Sequence, residues 1–228
     1  MSGKTEPLGM HHEVLLLDLH DRTGKRHVGS YIAGFGLAAA CVGELEHRGR
    51  LKVAGADRFG LAAGSGSRGA LGLAEAALGT EIRSLKKCIA VVTNQWFSSP
   101  INRIRDAALR ELCGAGFLEK RTDYFLIVPW RTRYPEGDGR AERALIDRLR
   151  THLHAVDGNT PPLRDDMLLS VLRAMDLLGS VWSERELQQV RPAIEARTKR
   201  APIGRLAWEL ARDAEAAAAA AAANVVVS

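Results

Sequence analysis

The strongest constraint in this chain is a helix of small residues that has to stop at a glycine. It runs Gly36-Leu-Ala-Ala-Ala-Cys-Val-Gly-Glu-Leu-Glu-His-Arg-Gly-Arg-Leu-Lys-Val53. Leu37, Cys41 and Leu45 recur at i, i+4 and i+8, so Ile32 to His47 reads as a helix with one apolar stripe. Ala33, Gly36, Ala40 and Gly43 carry almost no side chain, which lets a neighbouring helix come close. Gly49 suits the left-handed position after a helix end, where a Cβ is unfavourable. Leu51 to Val53 then reads as extended. The same order returns from Ile101 to Val128: a helix, Gly114-Ala-Gly116, and an apolar strand.

Size and charge narrow the options. With 228 residues, 46% of them hydrophobic, the chain can bury one large core. A formal charge of +5 and a pI near 9.4 favour an anionic partner, either membrane lipid or nucleic acid. Mild basicity also occurs without any functional cause. Cys41, Cys88 and Cys113 are odd in number and lie in apolar surroundings, so they read as reduced thiols in a cytoplasmic protein. No apolar run approaches the roughly 20 residues needed to span a bilayer, and Met1 to Met10 lacks a secretory apolar region. Membrane attachment, if present, is expected to be peripheral. The excess of Ala, Arg and Gly resembles a GC-rich bacterial composition.

The remaining elements follow from local pattern. Glu13 to His20 is a short apolar run ending at Asp21-Arg-Thr-Gly24, read as a strand and reversal. Residues 54 to 72 are rich in Gly, Ala and Ser, and Gly64 to Gly69 reads as a mobile loop, since a phosphate-cradling loop would need a Lys there. Helices are expected over Leu71–Leu78 and Ile82–Val92, with Trp96 and Phe97 in the connection that follows. Pro100 opens a helix through Cys113. Tyr124 to Trp130 reads as the clearest strand, Pro129 marking it as an edge. Pro135-Glu-Gly-Asp-Gly139 is a turn before an amphipathic helix, Ala141 to His154. Asp157 to Pro162 is a loop. Arg164 to Leu178 is apolar on almost every face, the mark of a central helix. Ser183 and Glu186 have capping-box spacing. The alanine run from Ala216 reads as a frayed, low-complexity tail.

Motifs for catalysis are absent: no CxxC, HExxH, GxSxG or strand-linked GxGxxG. His152 and His154 lie about 200° apart around a helix and cannot share a metal from one face. His11 and His12 could hold a metal only adventitiously. Asp165 and Asp166 stand near a helix start, where the helix dipole accounts for acids. Neither an enzyme nor a cofactor or metal site is expected.

The basic residues are more informative. Arg103 and Arg105 follow Pro100, Arg131 and Arg133 follow the strand, and Arg48, Arg50 and Lys52 flank Gly49. Asn102 and Arg105 share a helix face, near backbone N–H groups that favour anions. Arg103 points about 200° away from Arg105. The same arginines would also suit a solvated face.

The order of elements, and above all Glu44-Leu-Glu-His-Arg-Gly-Arg50, resembles the Golgi phosphoprotein 3 family, bacterial members included. The likeness runs from about Glu13 to about Arg212. It takes in the small-residue helix ending in Arg-Gly-Arg, the Leu-rich segment at Leu71–Leu78, the helix ending in Gly116-Phe-Leu118, the strand Phe125–Val128 and the Arg-Tyr-Pro135 turn. The resemblance implies a mostly α, single globular domain with a central helical bundle ringed by amphipathic helices, short strands and a projecting β-hairpin. The expected limits are a flexible N-terminus over 1–10, the domain over 11–212, and an alanine-rich tail over 213–228. It also implies binding of phosphatidylinositol 4-phosphate at a cytosolic membrane face.

The family's headgroup residues carry over only in part. Eukaryotic members use a Trp and an Arg around the first core helix, which fall at or near Gly29 and on Ala38. Two basic residues three apart fall on Asn102 and Arg105, so only Arg105 matches. Each lost cation would weaken phosphate binding by about 1.5–3 kcal/mol. Arg105, with Asn102 beside it, is thus the expected headgroup ligand, and Arg103, Arg131 and Arg133 are candidate substitutes. Trp130 and Tyr134, flanking the last two arginines, are candidates for insertion at the membrane interface. Trp130 could equally close the core.

A winged-helix DNA-binding regulator is the rival reading, because the helix over 107–116 leads into a wing-like segment over 117–128. The apolar stretch from Leu85 to Gln95 lacks base-reading side chains, so nucleic acid is the less favoured partner. A purely structural homo-oligomer is the third reading.

Overall fold

In the computed structural model the described residues are 8–19, 24, 27–55, 58–64, 66–93, 99–125, 128–137, 139–154 and 164–226. The elements are α1 (Met10–Asp18), α2 (Ser30–His47), β1 (Leu51–Gly55), β2 (Arg58–Leu61), α3 (Gly69–Leu78), α4 (Leu85–Thr93) and α5 (Pro100–Gly114). They continue with β3 (Arg121–Phe125), β4 (Val128–Arg133), α6 (Arg140–His154), α7 (Arg164–Ala174), α8 (Glu184–Arg200) and α9 (Ile203–Val226). The domain is mostly helical, with two small antiparallel sheets.

The small residues of α2 put it at the centre. Ala38, Ala39, Ala40, Cys41, Val42 and Leu45 are fully buried. α9, α1, α7 and α4 all pack on it. A Cβ at Gly36 would overlap the Met175 sulfur, and one at Gly43 would stand 3.3 Å from Met10 Sδ and Ile203 Cδ1. α7 lies beside α2 with Leu168, Leu169, Val171 and Leu172 fully buried, as its all-round apolarity requires.

Both helix–glycine–strand units close in the same way. After α2, Gly49 has φ +65°, and the Arg50 N–H donates to the Leu45 carbonyl at 2.8 Å. After α5, Gly116 has φ +78°, and the Phe117 N–H donates to the Leu112 carbonyl at 2.9 Å. These 6→1 bonds satisfy carbonyls that the helix leaves open. α7 ends likewise but earlier than the sequence pattern suggests, at Ala174. There Asp176 takes φ +58°, a conformation Asp tolerates better than most residues.

Two elements differ from expectation. The apolar run after Glu13 is the helix α1, not a strand. A short unbroken apolar run has no period that separates the two, and burial on all sides decides for a helix here. The single strand expected over Tyr124 to Trp130 is instead parts of both arms of the β3–β4 hairpin, with Phe125 opposite Val128 and Asp123 opposite Arg131. Pro129 lies in a two-stranded sheet, in which both strands are edges. The hairpin packs chiefly on itself, so it projects from the bundle.

The Gly-rich stretch also contains β2, paired with β1 through Val53↔Phe59 and Leu51↔Leu61. Its later part is tied down by Glu75, which accepts the Ser67 N–H at 2.8 Å and Arg50 Nε at 2.9 Å. The capping box of α8 forms as expected, with the Ser183 N–H on Glu186 Oε2 at 2.8 Å. The alanine run continues α9 through Val226. Expectations for the Asp21 turn, the Trp96–Phe97 connection and the loop over 157–162 lie outside the described residues.

A buried ionic cluster joins four helices. Arg164 sits 2.8 Å from Glu13 and 3.0 Å from Glu44. Arg148 pairs with Glu13 at 2.9 Å and Asp165 at 3.1 Å, while Arg48 and the Met10 N–H complete Glu44 at 2.7 and 2.9 Å. Asp166, fully buried, accepts from His152 at 2.8 Å and Arg200 at 3.2 Å. These acids do more than complement a helix dipole.

Burial alone would raise the Glu44 carboxyl, but Arg164, the Met10 N–H and Arg48 hold it below its ordinary value. Its stabilisation is therefore complete above about pH 4.5 and is lost as pH falls below that value. Denaturant melts between pH 7 and pH 3 are expected to show stability falling below about 4.5, with a flatter acid limb in Glu44→Gln. At Gly204, a Cβ would overlap the Ser170 carbonyl. Gly204→Ala is expected to cost about 1–3 kcal/mol in urea unfolding, because backbone there has no room to retreat.

Candidate functional site

Three helices and the turn after α7 leave a surface cleft of about 450 Å³ between them. Its walls are Val14, Leu15 and Asp18 from α1, Tyr31, Ala33, Gly34 and Leu37 from α2, Ser99 before α5, Ile101, Asn102 and Arg105 from α5, and Met175 beyond α7. The N-terminal turns of both α2 and α5 open on it. α5 begins at Pro100, whose missing N–H costs nothing in a first turn, and Ser99 before it donates its hydroxyl to the Thr93 carbonyl at 3.1 Å. Neither α2 nor α5 has a side-chain cap hydrogen bond. Helix starts of this kind carry partial positive charge and N–H groups aimed outward, which favour an anion.

Arg105 is the cation in this wall. Its side chain is about one-third exposed, at 36%, and its Nη2 reaches Asp106 only at 3.7 Å. Its Nε is buried and has no hydrogen-bond partner among the described residues. A buried donor left without an acceptor costs about 1–3 kcal/mol unless something supplies one. α5 fixes its position by burying Ile101, Ile104, Ala108 and Leu112, the apolar face on whose flank Arg105 stands.

Asn102, exposed, shares the cleft with Arg105 as their spacing predicts. Arg103 is exposed and outside the cleft wall. Arg133 is half-buried and bonds through Nε and Nη2 to Asp123 across the hairpin. Tyr134 is half-buried and packs on the core beside α5. Burial first, then Asp106 and Cys113, push its hydroxyl pKa up, against Arg105 and Arg110. The side chains of Trp130 and Arg131 lie outside the described residues. The structure thus brings Arg105 and Asn102 together and holds Arg103 and Arg133 elsewhere.

Two cleft residues escaped the sequence reading. Tyr31, half-buried, is an aromatic wall at the start of α2, two residues past Gly29, where the resemblance puts a Trp. An aromatic near that position was the available signal. Asp18, buried, accepts the Val28 N–H at 3.1 Å and so braces the chain entering α2. Nothing in its local sequence marks it. Ala38, where the resemblance puts an Arg of the eukaryotic members, is fully buried in the core.

Fold and site together define a mostly helical single domain with an open cleft lined by two helix starts. The family model described as Golgi phosphoprotein 3 (GPP34) matches residues 10–226, and the chain belongs to that family. No curated protein matches the chain at a significant level. Among the described residues no helix is long and apolar enough to cross a membrane.

The unpartnered Arg105 Nε gives a prediction of opposite signs. Without added anions, Arg105→Met is expected to melt at the same temperature as the wild type or slightly higher, since it removes an unsatisfied buried donor. The stabilisation conferred by a soluble inositol phosphate should disappear in Arg105→Met and persist in Arg103→Ala. Thermal melts with and without the anion check both.

Proposed function

We propose that this chain is a peripheral membrane protein that takes an anionic lipid headgroup, phosphatidylinositol 4-phosphate or a related phosphoinositide, into the cleft between α1, α2 and α5. The observation that carries the reading is Arg105, a cation with a buried donor that has no partner among the described residues, beside two helix N-termini. Membership of the Golgi phosphoprotein 3 family supports it.

The composition of the walls favours an inositol phosphate over bare phosphate. Asp18 puts a carboxylate in the cleft, which repels phosphate but accepts hydroxyl donors. An inositol ring offers both the phosphate for Arg105 and Asn102 and the hydroxyls for Asp18. Tyr31 gives the ring an apolar and aromatic side. With one family cation retained, the headgroup alone binds weakly, and the net charge of +5 adds general attraction to an anionic surface. Each basic side chain near such a surface contributes about 1 kcal/mol, so three or four hold the protein there. A cytoplasmic membrane face is the corresponding location.

Co-sedimentation of the full chain with vesicles tests this. Binding is expected to phosphoinositide-containing vesicles over neutral ones, and to fall as salt rises from low to several hundred millimolar. Arg105→Ala should reduce it about tenfold or more, a loss of about 1.4 kcal/mol per factor of ten. Equal sedimentation with neutral vesicles would sink the proposal. A mobility shift of duplex DNA at protein concentrations that leave vesicles unbound would favour the DNA-binding alternative instead.

A further inference from the structure

Nearly two turns beyond Arg105, α5 carries Glu111 into a second, separate cleft of about 330 Å³. There it meets the first turn of α1. His12 Nε2 lies 2.7 Å from Glu111 Oε2, and His11 Nε2 lies 4.0 Å from the same oxygen. The two imidazoles stand face to face at a tilt of 38°, with centroids 4.0 Å apart. One nitrogen from each ring and one carboxylate oxygen fall within 4.8 Å of one another. His11 is only 2% exposed, and its Nδ1 has no hydrogen-bond partner among the described residues.

We propose that His11, His12 and Glu111 form a binding site for one divalent first-row transition ion, with Zn2+ as the natural probe. Two imidazole nitrogens and a carboxylate oxygen are the donor set such an ion takes, and three protein ligands leave a fourth position open to the cleft. The geometry is close to what is needed. Bonds of about 2.0–2.2 Å in a tetrahedron place ligand atoms about 3.3–3.6 Å apart. The observed 2.7 and 4.0 Å fall on either side of that value, and the two imidazole nitrogens lie within 4.8 Å of each other, so a swing of the Glu111 carboxylate with an adjustment of the two rings completes the site. The other Glu111 oxygen stays on the Ala70 N–H at 2.8 Å, an outer contact that orients the ligand.

The charge states suit a cation. Burial above all, helped by His12, Arg48 and Arg164, keeps the His11 pKa well below the usual imidazole value, so its ring is neutral at pH 7 and has a lone pair to give. Burial opposes ionisation of Glu111, but His12 and the Ala70 N–H hold its carboxyl low, so it is a carboxylate. His12 Nδ1 accepts the Gly9 N–H at 3.3 Å, which puts its neutral-form proton on Nε2. Metal binding moves that proton to Nδ1 and gives up this long contact, while the ion replaces the proton that bridges His12 to Glu111. The positive field of Arg48 and Arg164 that His11 feels is offset in part by their carboxylate partners, Glu44 at 2.7 Å and Glu13 at 2.8 Å. Arg68, exposed in the cleft wall, favours a negatively charged fourth ligand.

The test is calorimetric titration of chelator-treated full-length protein with Zn2+, together with the visible spectrum of the Co2+ form. The expected result is one ion per chain with micromolar or tighter affinity and the d–d bands of a four-coordinate Co2+ site. His12→Gln and Glu111→Gln should each weaken binding at least thirtyfold. Glu111→Gln keeps an oxygen for the Ala70 N–H, and metal-free melts of both variants check that the fold is retained. Absence of stoichiometric Zn2+ binding by the wild type, or retention of it by either folded variant, overturns the proposal. Vesicle binding is measured separately, so its outcome does not bear on this one.

Discussion

The architecture depends on the buried ionic cluster that Arg164 makes with Glu13 and Glu44. Glu13 and Glu44 are 2% and 3% exposed, so neither carboxylate has water to solvate it and each must be met by fixed cations. Arg164 from α7, Arg148 from α6 and Arg48 after α2 meet that demand together. Such clusters add little net stability over an apolar replacement, but leaving one charge unpaired is costly. Their consequence here is registration. α1 can sit only where its Glu13 reaches both arginines, and that placement fixes where Asp18, Leu15 and His12 end up.

Both clefts inherit their geometry from α1. Its C-terminal end forms one wall of the cleft that holds Arg105, and its N-terminal turn supplies the two histidines of the other. α5 joins the two, with Arg105 near its start and Glu111 farther along. One apolar face of α5, through Ile104, Ala108 and Leu112, is rigid in the core while its flanks present polar groups in two directions. That arrangement suits a binding protein. The polar groups are held in place by packing, without any strained or mobile element being required among the described residues.

Much of the fold is legible in local pattern. Gly49 and Gly116 stop their helices for a reason visible in sequence, and Ser183 with Glu186 announces α8. α1 is not legible locally, because Val14-Leu-Leu-Leu17 has no period and only the surrounding helices show that all its faces are covered. The hairpin reads as one strand because the apolar residues of β3 and β4 run on through the residues between them. Of the headgroup candidates, Asn102 and Arg105 share a cleft because three residues on a helix share a face. Arg133 faces Asp123, a partner that exists only once the strands pair in register.

What the sequence determined by itself is the helical class, the helix stops, the family and the single matched cation at Arg105. These rest on interactions within a few residues, or on an order of elements that survives without coordinates. What only the tertiary structure decided is which distant side chains converge. Tyr31 and Asp18 join Arg105 in one cleft, and Glu111 meets His11 and His12, although about a hundred residues of chain separate them. No local periodicity encodes such meetings. They follow from the packing of α1 and α5 against α2, which is set by small residues at the contact and by buried charges that allow one register.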